Sequence, residues 1–293
     1  MKPVGLLLVD KPEGPTSHDI VDIVRRVTGH RRVGHAGTLD PFASGLLLLC
    51  VGWTTRLAEY LVTLPKTYRA VIRLGERTDT DDRTGTVITR SDDWRAVDAE
   101  QVRRALERQL GEIEQRPPAY SAKKVAGQRA HTLARRGESP ELQPKRVAIW
   151  RLDVCEMSLP SLTVEIECSS GTYVRAVARD LGEALGVGAH LTGLRRLRVG
   201  QFDVADALEL GREGPEDLVI ARLRPPEAAV AHLRRADLGA EEWEALRRGE
   251  PVEWREVDAE DPVAVFVEGK LAAVALAREG ELWPKKVFGA EQR

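Results

Sequence analysis

HRRVGHAGTLDPFASGLLLLCV, His30 to Val51, is the stretch whose reading decides the fold. Its second part, Leu46 to Val51, is a continuous apolar run of strand length. Its first part, His30 to Gly45, is a loop punctuated by Gly34, Gly37 and Pro41. Asp40 precedes the proline. An aspartate in that setting is most often a turn former whose carboxylate caps nearby backbone N–H groups. Here it keeps company with His30, Arg31, Arg32 and His35, so a carboxylate lies inside a basic, Gly-rich loop able to cradle phosphates. The residues alone leave both readings open.

Working outward, Val4 to Val9 reads as a buried strand. Thr16 or Ser17 then caps a helix whose stripe of Ile20, Val21, Ile23, Val24 and Val27 ends at Gly29. Downstream, Thr67 to Leu74 alternates as a half-buried strand does. The loop is thus held between rigid elements, a usual setting for catalytic groups. Asp79 to Gly85 reads as a polar turn, and a helix ends near Gly111. Pro117 and Pro118 interrupt regular structure, and Gln128 to Arg136 returns to helix. Pro144 to Met157 and Leu162 to Cys168 read as strands, Thr172 to Leu185 as a helix, and Leu194 to Phe202 as another strand.

After Phe202 acidic residues and prolines accumulate, and Pro225–Pro226 marks the linker, across which few core contacts are expected. Beyond it lie the helical pattern AEEWEALRRGEPV and two short strands, VAVFVEG and LAAVALARE, with Gly269 and Lys270 at their turn. The division is residues 1–224, with a basic insertion at about 116–146, and residues 225–293.

The chain of 293 residues, 42% hydrophobic and 31% charged, can bury a large core, which excludes disorder and repeat arrays. Asp10 and Lys11 end the N-terminal apolar run far short of a signal peptide, and Leu46 to Trp53 is too short to cross a bilayer, so a cytoplasmic protein without membrane contact is expected. Cys50, Cys155 and Cys168 form no CxxC pair and are expected to be packing residues. The histidines show no ligand spacing, so no metal is expected.

The net charge of −2 conceals an asymmetry: Arg116 to Arg151 holds nine Lys and Arg against two Glu, while Asp203 to Asp261 holds 17 acidic and 8 basic residues. Such segregation focuses a positive field on one face. Charge alone fits an RNA-binding surface or a solvated basic face.

GHAGTLDPFASGLLLL, Gly34 to Leu49, closely resembles the catalytic motif of bacterial TruB-type tRNA pseudouridine synthases. LLLVDKPEGPTS, KTYRAVIRLGERTDTDD from Lys66, PPAYSAKKVAGQRAH from Pro117, CSSGTYVRAVARDLG from Cys168 and LRRLRVGQF from Leu194 resemble further motifs of that family in the same order. The resemblance covers nearly all of residues 1 to 205. The tail from about Pro226 resembles a PUA-type RNA-binding domain, on weaker motifs.

The resemblance implies the α/β (α+β) pseudouridine synthase fold, with a mixed, largely antiparallel sheet, plus a small C-terminal PUA-like β domain. It implies isomerisation of uridine 55 in the tRNA T loop, with no cofactor and no guide RNA or obligatory protein partner. A tRNA-folding activity is its companion reading. Asp40 corresponds to the nucleophile, Tyr68 to a tyrosine stacking on the target uracil, and Arg175 to an arginine paired with the catalytic carboxylate. Tyr173 and Leu194 match positions lining the nucleotide pocket, and His35 a histidine that fills the space left by the flipped base. Without the resemblance, Tyr68, Tyr173 and Leu194 read as core residues and His35 as a loop histidine. Arg175 reads as a cation in a helix's first turn, where the dipole disfavours it unless a carboxylate is near. Such a partner is expected to lower the carboxylate's pKa.

Arg31, Arg32, Lys123, Lys124 and Arg129 are candidates for RNA backbone contacts, as are Arg195, Arg196 and Arg198, with Lys285 and Lys286 in the tail. The rivals are a non-catalytic RNA-binding protein on the same scaffold and the guide-dependent relative that acts in a multi-protein particle. Asp40, Tyr68 and Arg175 weigh against the first, and the basic insertion against the second.

Overall fold

GLLLVDK forms the first strand, β1 (Gly5–Lys11), buried along its length. After it, Thr16 Oγ1 accepts from the backbone N–H of Asp19, whose carboxylate accepts from Thr16 N, a reciprocal cap that starts α1 (Ser17–Thr28). Gly29, with φ 59°, ends the helix in the left-handed conformation glycine adopts without strain. β2 (Val33–His35) and β3 (Ser44–Val51) pair antiparallel and enclose the loop that carries Asp40. The computed structural model describes residues 2–120, 124–125, 128–129, 142–210, 216–254 and 260–288.

The continuous apolar run of β3 has a direct cause in the packing. Leu47, Leu49 and Val51 point to the side covered by α1, in contact with Ile20, Val21 and Val24. Leu46, Leu48 and Cys50 point to the other side and join a second cluster with Trp53 and Leu57. A period-2 strand covered on both faces needs apolar residues at every position.

After β3 come a short helix α2 (Ala58–Val62), then β4 (Lys66–Leu74), and a two-stranded ribbon of β5 (Glu76–Thr78) and β6 (Val87–Arg90). α3 (Ala99–Glu107) leads to β7 (Gly111–Gln115), and β8 (Lys124–Val125) pairs with β9 (Gln128–Arg129). Gln128 and Arg129 are therefore extended, not helical as the pattern predicts, because their backbones pair antiparallel with Val125 and Lys124. The rest of the expected helix, 130–136, lies outside the described residues.

β10 (Lys145–Ser158), β11 (Ser161–Cys168), α4 (Val174–Ala184), β12 (Ala189–Val199), β13 (Phe202–Asp203) and β14 (Leu208–Glu209) complete the large sheet. The span Leu194–Phe202 is two strands rather than one, since Gly200 at φ 52° turns the chain so that Phe202 pairs back on Val199. The sheet runs β14-β1-β3-β12-β4-β11-β10-β7, with β2 added on β3 and β13 on β12. β1–β14 and β3–β12 are parallel and the other pairs antiparallel, the mixed α/β architecture expected. α4 covers β4, β11 and β12 through Val174, Val177, Ala178 and Leu181. Cys50 and Cys168 are buried, whereas Cys155 is exposed on β10, against the expectation of a packing residue.

α5 (Glu216–Ala221) precedes the second sheet. That sheet comprises β15 (Arg234–Asp237), then after α6 (Ala240–Arg248) β16 (Val252–Glu253), β17 (Pro262–Val267), β18 (Lys270–Arg278) and β19 (Glu281–Val287). Its order is β15-β17-β18-β19-β16. Val263 and Val265 face a local core with Leu246 of α6. Ala264, Phe266, Leu271, Val274 and Phe288 face the other way and share one cluster with Leu6, Leu8, Leu46, Leu48 and Trp53. Trp53 and Phe288 meet at 4.8 Å between ring centroids. The expectation that few core contacts cross Pro225 is therefore reversed: one face of the small sheet is completed by the first two hundred residues. The mutual Leu6–Arg224 backbone bonds, at 2.9 and 2.8 Å, close the same seam.

Among the described residues no helix is long and apolar enough to cross a membrane.

Candidate active site

The Asp40 loop is fixed by groups that the sequence places far apart. Ser17, 2% exposed at the start of α1, donates its hydroxyl to Leu39 O at 3.0 Å and accepts from Leu39 N at 2.9 Å. Lys11, fully buried at the end of β1, donates to Pro12 O and Pro15 O at 2.8 and 2.9 Å and reaches Pro41 O at 3.5 Å. Gly14 N donates to Pro41 O at 2.8 Å. From β12, Arg196 donates Nε to Leu46 O at 2.7 Å and Nη2 to Gly37 O at 3.1 Å. Gly45 is obligatory beside it: its φ is 104°, and a β-carbon there would stand 2.2 Å from Arg196 O. The loop is consequently pinned on both sides of Asp40, and Asp40 O closes the turn by accepting from Ala43 N at 3.0 Å.

Arg175, in the first turn of α4 and 5% exposed, reaches Asp40 with Nε 3.0 Å from Oδ2. Its Nη1 meets Thr80 O at 3.0 Å and Asp82 Oδ2 at 3.4 Å, and its Nη2 donates to Tyr120 O at 2.9 Å. Every edge of the guanidinium is used, which fixes its plane as a lysine would not be fixed. One turn later on the same helix face, Arg179 pairs with Asp81 at 3.4 Å and with Asp180 at 2.7 Å. Asp81 adopts φ 58°, so consecutive carboxylates in the turn reach consecutive turns of α4. Asp82 is 3% exposed, and its Oδ1 accepts from Thr80 Oγ1, Thr84 N and Thr84 Oγ1. The run that reads as a polar turn is thus the buried counter-charge of the site. Its signal was available: three aspartates among threonines, and arginines four apart on the helix Thr172–Leu185.

Asp40 has one oxygen on Arg175, and among the described residues its Oδ1 has no hydrogen-bond partner. The side chain keeps 38% of its surface open although protein surrounds it on most sides. Burial pushes its pKa above the ordinary carboxylate value; Arg175 opposes this, Asp82 adds to it and Lys11 opposes it. The expectation of a lowered pKa is corrected here. The arginine does act downward, but the surrounding protein removes more hydration than one cation restores.

The carboxylate stands on a cavity of about 290 Å³ that Tyr68, Tyr173, Arg175, Leu194 and Arg196 also line. Tyr68 on β4 faces Arg196 across the β4–β12 register, and Leu194 faces Ala70. Burial raises the Tyr68 phenol above its usual value, with Arg196 opposing. Tyr173 caps α4; its N–H donates to Gln115 Oε1 at 2.8 Å and its C=O accepts from Gln115 Nε2 at 3.1 Å. Gln115, 1% exposed, is thus a positioning residue that sequence reading missed, since one glutamine in an edge strand carries no local signal.

Asp40, Tyr68, Tyr173, Arg175 and Leu194 therefore converge, whereas His35 does not line the cavity. It sits on β2 opposite Leu49, its buried Nδ1 without a hydrogen-bond partner among the described residues. Burial first, then Arg196 and His18, lower its pKa and favour the neutral ring. Arg31 and Arg32 are exposed on the approach to the loop. Lys124 and Arg129 are backbone partners in the β8–β9 register, and Lys123 lies outside the described residues. Arg196 is corrected from a backbone contact to a buried strut, 1% exposed. Arg195 and Arg198 are paired with Asp10 and Asp203. Lys286 is tied to Glu59 and to Arg56 O, so its expected RNA contact has an intramolecular competitor. Among the described residues no three His, Cys, Asp or Glu come together as a metal-ligand set.

Residues 25–174 match the family model described as TruB family pseudouridylate synthase (N terminal domain). Residues 175–212 match that of the tRNA pseudouridylate synthase B C-terminal domain. The chain is 42% identical over 294 residues to a tRNA pseudouridine synthase B of Corynebacterium jeikeium, covering 98% of this chain and 94% of that protein. To its counterpart in Mycobacterium avium it is 46% identical over 253 residues, 85% of this chain and 81% of that one. Among solved structures, a chain in the crystal structure of a Cbf5–Nop10–Gar1 complex superposes with a TM-score of 0.75 at 25% identity, covering 97% of this chain and 84% of that one.

Proposed function

The chain belongs to the TruB family of pseudouridylate synthases, and from that premise we propose that it isomerises uridine 55 in the T loop of tRNA, with Asp40 as nucleophile on a flipped-out base. The observation that carries the reading is the Asp40 carboxylate, held through one oxygen by Arg175 while the other, among the described residues, has no partner on a cavity of about 290 Å³.

Pseudouridine formation breaks the bond from ribose C1′ to uracil N1, turns the base and joins C1′ to C5. N1 gains a proton and C5 loses one, so the product is an isomer and no electrons are exchanged. A carboxylate serves as covalent nucleophile when it is ionised and held at contact distance. Attack at C6 of uracil and attack at C1′ of ribose use the same oxygen. Both need the base outside its stack, where the target atoms are shielded. Tyr68 supplies a stacking face for the extruded uracil, with Tyr173 and Leu194 closing the pocket around it. His35, which does not line the cavity, is assigned to fill the space the base leaves behind.

We assign residues 1–224 to catalysis and 225–293 to a PUA-like RNA-binding unit, with Arg31, Arg32, Lys123, Lys124 and Arg129 along the RNA backbone. The enzyme acts in the cytoplasm on the T-arm without guide RNA, cofactor or obligatory protein partner. Relatives at 42% and 46% identity that bear the name tRNA pseudouridine synthase B support the stand-alone form over the particle-bound one. The test is purified protein with an unmodified tRNA transcript, followed by mapping of pseudouridine. Modification confined to position 55 is expected; no pseudouridine, or pseudouridine elsewhere, refutes the proposal.

A further inference from the structure

Beyond the uracil-facing residues the cavity continues to a polar wall made by Val62, Lys66 and the loop from Ser169 to Thr172. Lys66 is 5% exposed, and its ammonium donates to Val62 O and Leu64 O. An ammonium has three protons to donate. The third has no acceptor among the described residues. Burial lowers the Lys66 pKa to about 8, with Arg196 adding to the lowering, so the group is still mainly charged at neutral pH. A cation so deeply placed on two carbonyls is poorly compensated unless an anion joins it.

Three features of the same wall fit such an anion. Lys145, exposed on β10, lays its ammonium over Gly171, where a β-carbon would stand 2.6 Å from Nζ. Gly171 has φ 86°, a backbone conformation that L side chains rarely adopt. Ser170 donates its hydroxyl to Val62 O at 2.6 Å, joining this loop to the turn that Lys66 holds and leaving its oxygen free to accept. The charged groups that line the cavity are Lys66, Arg175 and Arg196 against Asp40, a positive surplus before Lys145 is added. A neutral base answers none of that surplus. A phosphodiester does, through charge-assisted hydrogen bonds to both lysines.

We propose that a phosphodiester flanking the flipped nucleotide binds between Lys66 and Lys145, over Ser170 and Gly171. The inference rests on RNA being the substrate, as read above, and deepens it by assigning where the backbone passes the pocket mouth.

The experiment uses T-arm stem-loops carrying a single neutral methylphosphonate 5′ or 3′ of the target uridine, beside the all-phosphate RNA. Kd and single-turnover rate are measured for the full chain and for Lys145→Ala, Lys66→Met and Lys66→Arg. On all-phosphate RNA, Lys145→Ala should weaken binding about 3- to 10-fold and reduce the slope of log Kd against log salt by about 0.7, the single-strand value for one contact. On the methylphosphonate RNA that lacks the contacted charge, the same substitution should cost nothing further. Lys66→Met should follow that pattern and Lys66→Arg should restore affinity. Wild-type affinity should fall as pH rises through about 8, and that of Lys66→Arg should not. Equal loss by Lys145→Ala on all three RNAs, or no loss on any, overturns the proposal, and Lys145, being exposed, reports even if Lys66→Met does not fold. Wild-type turnover on the all-phosphate RNA is the separate control: its absence refutes the catalytic reading, while the binding comparison still decides the phosphate site.

Discussion

Replacing Arg175 by alanine tests the electrostatic design of the site at its centre. The guanidinium compensates two carboxylates, Asp40 at 3.0 Å and Asp82 at 3.4 Å, and donates to the carbonyls of Thr80 and Tyr120. Two separable effects follow. Asp82 is 3% exposed, so removing its cation leaves a buried charge unpaired, which costs about 3–5 kcal/mol. That is a large share of the roughly 5–15 kcal/mol that holds a domain together. The second effect is on titration. Asp40 already has a raised pKa from burial, and Arg175 is the strongest influence acting downward. Without it the value rises further, the ionised fraction at any given pH falls, and the acid limb of the rate profile moves to higher pH. Lost orientation adds a rate penalty of about 100-fold that persists above the titration. The assay is single-turnover pseudouridine formation from pH 5 to 9 beside thermal unfolding, for wild type, Arg175→Ala and Arg175→Lys. The lysine variant keeps the charge and should hold the acid limb near its wild-type position while losing rate through the missing planar fork. An alanine variant whose acid limb coincides with wild type refutes the assigned control of ionisation. One that melts with wild type refutes the dependence of Asp82 on Arg175.

Asp40→Asn should abolish turnover while leaving RNA affinity within a few fold, as single-turnover and binding assays will read. The same variant has a stability signature. With the folded-state pKa above the unfolded one, wild-type stability falls as pH rises through the folded value, so a plot of Tm against pH should lose that fall in the variant. Ser17→Ala leaves both backbone groups of Leu39 without their buried partner, costing about 1–3 kcal/mol, and should lower kcat more than affinity; an unchanged kcat shows that the clamp does not position Asp40. A chain ending at Arg224 strips Phe266, Leu271, Val274 and Phe288 from the cluster around Trp53 and Leu6, at about 1.5–3 kcal/mol for each large side chain uncovered. It should lose its cooperative melt, and a truncated chain unfolding at the full-length Tm refutes a shared core.

What the sequence made legible is local. The β3 run, the α1 stripe with its cap at Thr16 and stop at Gly29, and the alternation in β4 are set by burial and backbone conformation within a few residues, and pattern reading recovered each nearly to its ends. Asp40, Tyr68, Tyr173, Arg175 and Leu194 could be assembled because a family resemblance supplied the long-range information that pattern lacks. Alone, a tyrosine and a leucine in strands and a tyrosine at a helix start read as core residues. What remained hidden was pairing across sequence distance. Asp82 is 93 residues from Arg175, Ser17 is 22 from Leu39, and Gln115 is 58 from Tyr173. In each case one partner looks like a turn former, a cap or an edge-strand polar residue.

The seam at Pro225 was misread for a related reason. Two prolines and a change in charge mark a linker by composition, but whether a linker separates independent cores depends on which faces the flanking elements bury. The sign lay in VAVFV and LAAVALA, which are apolar at consecutive positions. In a five-stranded sheet with one solvated face, alternate positions would be polar. Val263 and Val265 face the local core while Ala264 and Phe266 face Trp53 and Phe288. Continuous apolarity in β17 therefore demands a second covering layer, by the argument that explains Leu46 to Val51 in β3. That layer comes from the first two hundred residues, through Leu6, Leu8, Leu46, Leu48, Trp53 and Leu57. Lys286, which by composition alone suits RNA, is drawn into the seam by Glu59 and the carbonyl of Arg56. Glu59 and Tyr60 meet the small sheet on the same short helix whose last residue, Val62, lines the cavity. The small sheet thus braces the turn that Lys66 and Ser170 hold at the pocket mouth.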